Sequence, residues 1–286
     1  MLKNNWFEDD ITRIGAEQEM FLVDKKTMKP MPVNTEIIDK LNHPEWLKTE
    51  LARFNLETNL SPVELTGDCF SRVEHENNGY LQKIRKVAHG FGAEVVLTGV
   101  LPTLERHDMD MHNLTQKNRY IQLLDIYDKL KQNSYKFNIR GIDELRFWHT
   151  SSLLPACNTS FQVHLQTTPD DFVNYYNIAQ ALAAPILAIA TNSAMAFGKR
   201  LSHESRIILY QQALDTRAVN KHMREYIPRV NFGVDWLENS VLDIYKEDIG
   251  RFRALIGDDI EEDSEDMIRQ GKTPALQALQ LHNSTV

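Results

Sequence analysis

The sequence has little of what would mark a secreted, nucleic-acid-binding or loop-type nucleotide-binding protein. Its 286 residues hold two cysteines, Cys69 and Cys157, far apart and in no CxxC pair, so no disulfide framework is available. Neither has an identifiable base partner, and no Gly-x-Ser-x-Gly occurs; nucleophilic hydrolase chemistry therefore has little support. The chain also lacks Gly-x-x-x-x-Gly-Lys-Ser/Thr and Gly-x-Gly-x-x-Gly, which excludes a P-loop or Rossmann site for any nucleotide it binds. Excess positive charge is missing too. A net charge of −8 argues against nucleic acid as the main partner. Met1–Asp10 has no apolar signal-peptide run. The most apolar stretch, Ala179–Ala190, is short for a membrane span and contains Pro185. These absences predict a cytoplasmic protein without a membrane or nucleic-acid partner; its oligomeric state is left open.

What is present is ordinary in bulk, with 42% hydrophobic and 25% charged residues. The length suits one large domain or two small ones. Residues 14–23 alternate, which predicts a strand with Glu17 and Glu19 on one face. Phe54–Leu60 reads as a second strand, interrupted at Ser61-Pro62 and resumed at Val63-Glu64-Leu65. Glu57 and Glu64 are an odd number of residues apart, so only a register reset at Ser61-Pro62 puts them on one face. Phe70–Phe91 and Arg119–Lys131 read as amphipathic helices, and Glu94–Gly99 as a buried strand. Lys136–Arg140, Glu144–His149 and Thr159–Thr167 are three further strands, with a hairpin turn at 141–143. Asp170–Ala190 is a long apolar helix. Residues 35–42 and 45–52 read as helical or turn pieces, Ser205–Asp215 as a helix or a strand, and Val234–Leu255 as helical. The acidic run 257–266 reads as a solvated loop or helix start, and Leu281–Val286 as a strand-like ending cut from a larger protein. This irregular alternation predicts an α+β fold rather than a βαβ parallel sheet.

Polar groups recur inside these apolar strands. Each glutamate of Glu17, Glu19, Glu57 and Glu64 reads by itself as part of a solvated sheet face. Together they suit a divalent cation, because a carboxylate in an apolar strand is costly unless it is paired or metal-bound. Gln162 and His164 form a polar face opposite Phe161, Val163 and Leu165, and histidine is a common metal ligand. Glu204 and Arg206 point together if extended, as an exposed ion pair or as an anion clamp.

Six motifs in order resemble the glutamate–cysteine ligase family. They are Gly15-x-Glu17-x-Glu19-x-Phe-Leu-Val, Asn59-Leu-Ser-Pro-Val-Glu64-Leu, Arg119-Tyr120, Ser160-Phe-Gln-Val-His164-Leu, Ala190-Thr-Asn192-Ser193 and Glu204-Ser-Arg206. The likeness is to the second bacterial type, the carboxylate–amine ligases, with plant-type features. It implies a glutamine-synthetase-like catalytic fold, a curved, mostly antiparallel sheet of about six strands with helices packed on one face, within a single domain spanning 1–286. It implies ATP-dependent amide formation from glutamate or a similar carboxylate and an amine such as cysteine, through an acyl phosphate. Mg²⁺, with Mn²⁺ as an alternative, would be the cofactor. By the resemblance, Glu17, Glu19, Glu57, Glu64, His164 and Glu204 match metal-ligand positions. Arg206 matches the catalytic arginine near the transferred phosphoryl group. Arg119, Gln162 and Asn192 match substrate or nucleotide contacts. The second bacterial type usually carries His-Val-His and the plant type Gln-Val-Asn where this chain has Gln162-Val-His164, which leaves the amine open. Two rival readings are a non-catalytic ligase-like module that binds a nucleotide or amino acid and regulates a partner, and a guanidine phosphotransferase.

Overall fold

The computed structural model describes residues 1–2, 6–131, 135–149, 151–215, 228–252, 254–255 and 259–283. Its spine is β1, Arg13–Asp24, which carries no proline and is buried on both faces over Met20–Val23. Five shorter strands surround β1: β2 (Leu47–Thr49), β3 (Asn55–Asn59), β4 (Val63–Glu64), β5 (Ala93–Val96) and β8 (Phe161–Leu165). β3 and β4 lie end to end along one edge of β1, β8 and β5 along the other, and β2 adds outside β3. All these pairings are antiparallel, which yields the six-stranded sheet of an α+β fold.

The alternation of β1 divides the sheet into two unlike faces. Met20 and Leu22 point to one side and pack with Leu56, Ile37, Leu81 and Ile84. The last three come from α1 (Asn34–Lys40) and α2 (Cys69–Gly90), whose buried residues Leu81, Ile84 and Ala88 lie at helical spacing. Burial of each large side chain contributes roughly 1.5–3 kcal/mol. The opposite face is apolar only at its Phe21 end. There Phe21, Val23 and Phe54 join a second core, to which α3 (Asn118–Lys131) sends Leu124 and α5 (Arg206–Leu214) sends Leu209. The rest of that face carries the acidic residues.

Several elements differ from their sequence reading. Residues 47–49 are strand β2 rather than helix or turn, because Leu47 and Thr49 bury against the sheet while Lys48 faces solvent. β6 (Tyr135–Arg140) and β7 (Glu144–His149) form the expected hairpin, but as a separate two-stranded sheet whose Phe137 and Phe147 rings stack at 5.0 Å. β9 (Met195–Ala196) and β10 (Lys199–Arg200) make a second small ribbon. Residues 206–214 resolve to helix, and 234–255 contract to α6, Leu242–Arg251. Within the acidic run Asp263 caps α7 (Ser264–Arg269), accepting from the Asp266 N–H at 2.9 Å. The strand-like ending is instead helix α8, Gln277–Asn283, whose Gln, Ala and Leu are helix formers with no strand to pair with; residues 284–286 lie outside the described residues.

Helix α4 runs Phe172–Ile189, longer than its apolar half alone suggests, with Pro185 inside it. Among the described residues it is the one helix long and apolar enough, by length and composition, to cross a membrane. Its polar side chains are used within the fold: Asn177 donates to the Leu237 carbonyl at 2.9 Å and accepts from the Leu237 N–H at 3.0 Å.

Candidate active site

The pairing of β1 with its neighbours places the acidic residues on one face. Glu19 stands opposite Glu57 on β3, and Glu17 lies between Asn59 and Gln162 on its two sides. His164 is opposite Gly15, and Glu64 opposite Arg13. Directly opposed residues share a face, so Glu17, Glu19, Glu57, Glu64, Gln162 and His164 all project to the same side. Glu64 reaches it because one extra residue is taken up at Leu60-Ser61-Pro62, between the β3 and β4 registers. His164 Nε2 lies 3.8 Å from Glu17 Oε1, and Asn59 donates to Glu57 Oε1 at 2.8 Å. Glu64, at the outer end, is exposed.

Glu19 is held most tightly. The Ser160 N–H and hydroxyl both donate to its Oε2, at 2.6 and 3.1 Å. Burial nevertheless raises its pKa above the ordinary carboxylate range, aided by the charges on Glu57 and Glu17 and opposed by the two Ser160 bonds. Glu57 is raised as well, mainly by burial, with Glu17 adding to it and the Asn59 hydrogen bond working against it. Glu50, just beyond β2, is pushed up to about 8 by burial and then by Glu19 and Glu57. Burial likewise raises the Tyr120 hydroxyl to about 12 and that of Tyr210 upward, with Glu50 contributing to both. The face therefore carries more negative charge than its own donors offset.

Lys48, opposite Glu57 in the β2–β3 register, lowers Glu57 in part, and a guanidinium lies across from the face. Arg206 opens α5 and donates from Nε and Nη2 to the two oxygens of Glu204, each at 2.8 Å. Ser193 Oγ adds a 2.5 Å bond to Glu204 Oε1. Burial alone would raise the Glu204 carboxyl, but the Arg206 and Ser193 bonds outweigh it and hold the pKa to about 2. Arg206 is raised, by Glu204 first and also by Glu19, which puts the guanidinium within electrostatic reach of the acid face. Gly99 makes room for it: a Cβ there would lie 2.5 Å from Arg206 Cδ and 2.9 Å from the Asn192 carbonyl oxygen. Between these groups opens a cavity of about 880 Å³, lined by Glu19, Glu50, Gln162, Asn192, Arg206 and Tyr210 among others.

The structure thus gathers Glu17, Glu19, Glu57, Gln162 and His164, sets Glu64 at the rim of the same face, and commits Glu204 to Arg206. Asn192 lines the cavity, its backbone N–H donating to Glu204 Oε2 at 3.3 Å. Arg119 is exposed at the start of α3, outside the cavity wall. Among the described residues no three His, Cys, Asp or Glu side chains stand close enough together to hold an ion as they are posed. The donor set still fits a hard divalent cation in kind: oxygen ligands whose mutual repulsion and burial a dication would relieve. Sequence reasoning missed Glu50, Tyr210, Ser160 and Gly99. A signal existed for Glu50, since alternation across Leu47-Lys-Thr-Glu50 sets it on one side with Lys48 and apart from the buried pair Leu47 and Thr49.

No curated protein matches the chain. Residues 13–226, well over half of it, match the family described as glutamate-cysteine ligase family 2. That span begins with β1 and its acidic residues and takes in β3, β8 and the Glu204–Arg206 pair, and by this match the chain belongs to the glutamate–cysteine ligase family.

Proposed function

We propose that the protein is an ATP-dependent carboxylate–amine ligase. A donor carboxylate, glutamate or a similar acid, attacks the γ-phosphorus of ATP, ADP leaves, and an acyl phosphate forms. The free amine then attacks the acyl carbon, the amide bond forms, phosphate leaves and the amine's proton is released. At neutral pH the sum is ATP plus carboxylate plus ammonium giving amide, ADP, phosphate and one proton. The observation that carries this reading is the acid face: Glu19, Glu50 and Glu57, each raised first by burial and then by neighbouring glutamates, beside a cavity that Arg206 borders.

Glu17, Glu19 and Glu57 would hold Mg²⁺, with His164 and the rim residue Glu64 completing the set. Mg²⁺ would supply charge neutralisation for the phosphates during transfer. Arg206 would meet the transferred phosphoryl group, and Glu204 would keep its guanidinium plane fixed. Ser160 orients Glu19, while Gln162 and Asn192 offer neutral hydrogen bonds to substrate.

Phosphate release from ATP, measured with carboxylate and amine added separately and together, tests the reading. Release is expected only with both. Glu19→Gln and Arg206→Ala should each abolish turnover while leaving a normal unfolding transition. Tight ATP–Mg²⁺ or amino-acid binding by calorimetry without any turnover would instead favour a regulatory ligase-like module. Phosphate transferred to a stable product without ligation would indicate a phosphotransferase.

A further inference from the structure

The cavity beside the acid face carries a polar feature that the acid face does not use. Asn55 opens β3 opposite Phe21, on the side of the sheet it shares with Glu57, and lines the cavity while only 2% exposed. Its backbone is already paired: the N–H donates to the Ala52 carbonyl at 2.9 Å, and the carbonyl accepts from Asn34 Nδ2 at 3.2 Å. Its side-chain amide has no hydrogen-bond partner at either Oδ1 or Nδ2 among the described residues. Asn158 follows the short turn Leu154–Cys157 and lines the same cavity. Both atoms of its side-chain amide are likewise buried and unpaired. Among the described residues these are the two amides left so at both ends.

A buried polar group without a partner is costly. Two such amides on one cavity wall suit a ligand that brings its own donor and acceptor. Each amide sets an acceptor beside a donor. A carboxylate or phosphate brings acceptors alone and an ammonium donors alone, so either would leave one end of the amide unpaired. A nucleobase edge with a ring nitrogen next to an amino group meets both ends at once, as in the bidentate pairing of asparagine with adenine. Leu97, Ile186, Ile207 and Phe232 of the same cavity offer apolar surface to the flat faces of a base. Glu19 and Arg206, assigned to metal and phosphate by the ligase reading, border that cavity as well.

We propose that Asn55 and Asn158 form a base-reading subsite that seats the adenine of the phosphoryl donor, pairing with its amino group and adjoining ring nitrogens. The inference rests on the ligase reading and deepens it. It assigns nucleotide specificity to two neutral amides and leaves the acid face and Arg206 to the phosphates. No hydrogen bond among the described residues fixes which way either amide is turned, so the bound base sets it. Selection acts against bases that lack a donor beside an acceptor.

The test compares ATP with purine riboside triphosphate, which lacks only the 6-amino group, each with Mg²⁺ and the unmodified protein. Phosphate release is measured with glutamate and a panel of amino acids and amines. ATP is expected to show at least about fivefold higher kcat/KM, because the analogue leaves a buried amide oxygen unpaired. Equal kcat/KM overturns the inference and leaves the ligase reading standing. No release from ATP with any member of the panel defeats the ligase reading instead. Calorimetry of ATP–Mg²⁺ against the analogue then decides the subsite alone, and equal affinity, or no binding of either, overturns it.

Two variants separate a base-reading role from a structural one. Asn55→Leu puts an apolar group of similar branched shape in place of the unpaired amide. It is expected to raise the urea unfolding midpoint of the nucleotide-free protein. It is also expected to raise KM for ATP severalfold, leave KM for glutamate and the amine unchanged, and shrink the preference for ATP over the analogue toward one. Asn158→Leu is expected to shrink the same preference. A lower midpoint with an unchanged preference means that the protein itself holds the amide, and overturns the inference. A raised KM for glutamate or the amine, in place of that for ATP, seats a different reactant on the amides and overturns it too. If Asn55→Leu does not fold, the analogue comparison on the unmodified protein decides.

Discussion

At the scale of single residues, Glu50 and Glu204 are opposites produced by their surroundings. Glu50 is half-buried beside Glu19 and Glu57, and burial is the main cause that lifts it to about 8. A carboxyl whose folded pKa exceeds its unfolded value favours folding relative to the charged state only while protonated. Its contribution is complete below the ordinary value of 4.5 and is lost as pH rises through about 8. Glu50→Gln should therefore leave stability near pH 4 almost unchanged and raise it above pH 8. The gain is on the order of 2 kcal/mol once partial exposure is discounted, read from urea unfolding across that range. Glu204 runs the other way. Held at about 2 by Arg206 and Ser193 against the effect of burial, it stabilises fully above 4.5 and loses that contribution as pH falls toward 2. Glu204→Gln should lower stability at pH 7 by roughly 1–3 kcal/mol, the cost of leaving a charge-assisted donor poorly met, and converge with the parent below pH 2. The alternation of β1 made Glu17 and Glu19 legible in the sequence. It could not reveal that Glu50 stands near them, because that proximity comes from pairing β2 outside β3.

At the scale of elements, close backbone approach fixes the geometry. Gly99 follows β5, donates its N–H to the Asn192 carbonyl at 2.9 Å and accepts from the Thr159 N–H at 3.0 Å. It thereby ties the β5 end to the segments before β8 and after α4. A methyl group there meets Arg206 Cδ at 2.5 Å, and overpacking of this kind costs typically 1–3 kcal/mol. Gly99→Ala should lower unfolding stability by that amount and reduce turnover through a displaced Arg206. In the double variant Gly99→Ala with Arg206→Ala, part of the stability should return, a non-additivity that a thermodynamic cycle measures directly. The longest elements, β1 and α2, matched their sequence periods to within about a residue at each end, because packing and period agree there. Short or context-dependent pieces did not. β2 has three residues, too few for a period to show, and α8 presents apolar residues that read as strand until no partner strand exists. The Ser61-Pro62 reset was legible because proline cannot donate to the ladder, and the one-residue offset on which Glu64 depends follows from it.

At the scale of the whole molecule, the acid face exists because β1 is flanked on both sides at once, by β3 and β4 on one edge and β8 on the other. Residues more than a hundred apart in sequence, such as Glu19 and Ser160, meet only through that arrangement. The ordered motifs hinted at the grouping, while the Glu204–Arg206 pairing and the cavity between sheet and helices became visible only with α4 and α5 in place. An arrangement that raises several carboxyls together also couples metal binding to protons, since a protonated carboxyl must lose its proton before it can ligate. Mg²⁺ should therefore stabilise the protein progressively less as pH falls and more as pH rises, because Glu19 and Glu57 are both raised above their ordinary values, mainly by burial, and hold their protons to higher pH than free carboxylates do. The expected signature is a thermal shift with Mg²⁺ that grows with pH, is abolished by a chelator and is blunted in Glu19→Gln. Calorimetry at pH 7 in buffers of different ionisation enthalpy should register proton release on binding. A Mg²⁺ shift that is flat from pH 5 to 8, with no protons released, would separate the raised carboxyls from any metal and leave the acid face without the role assigned to it.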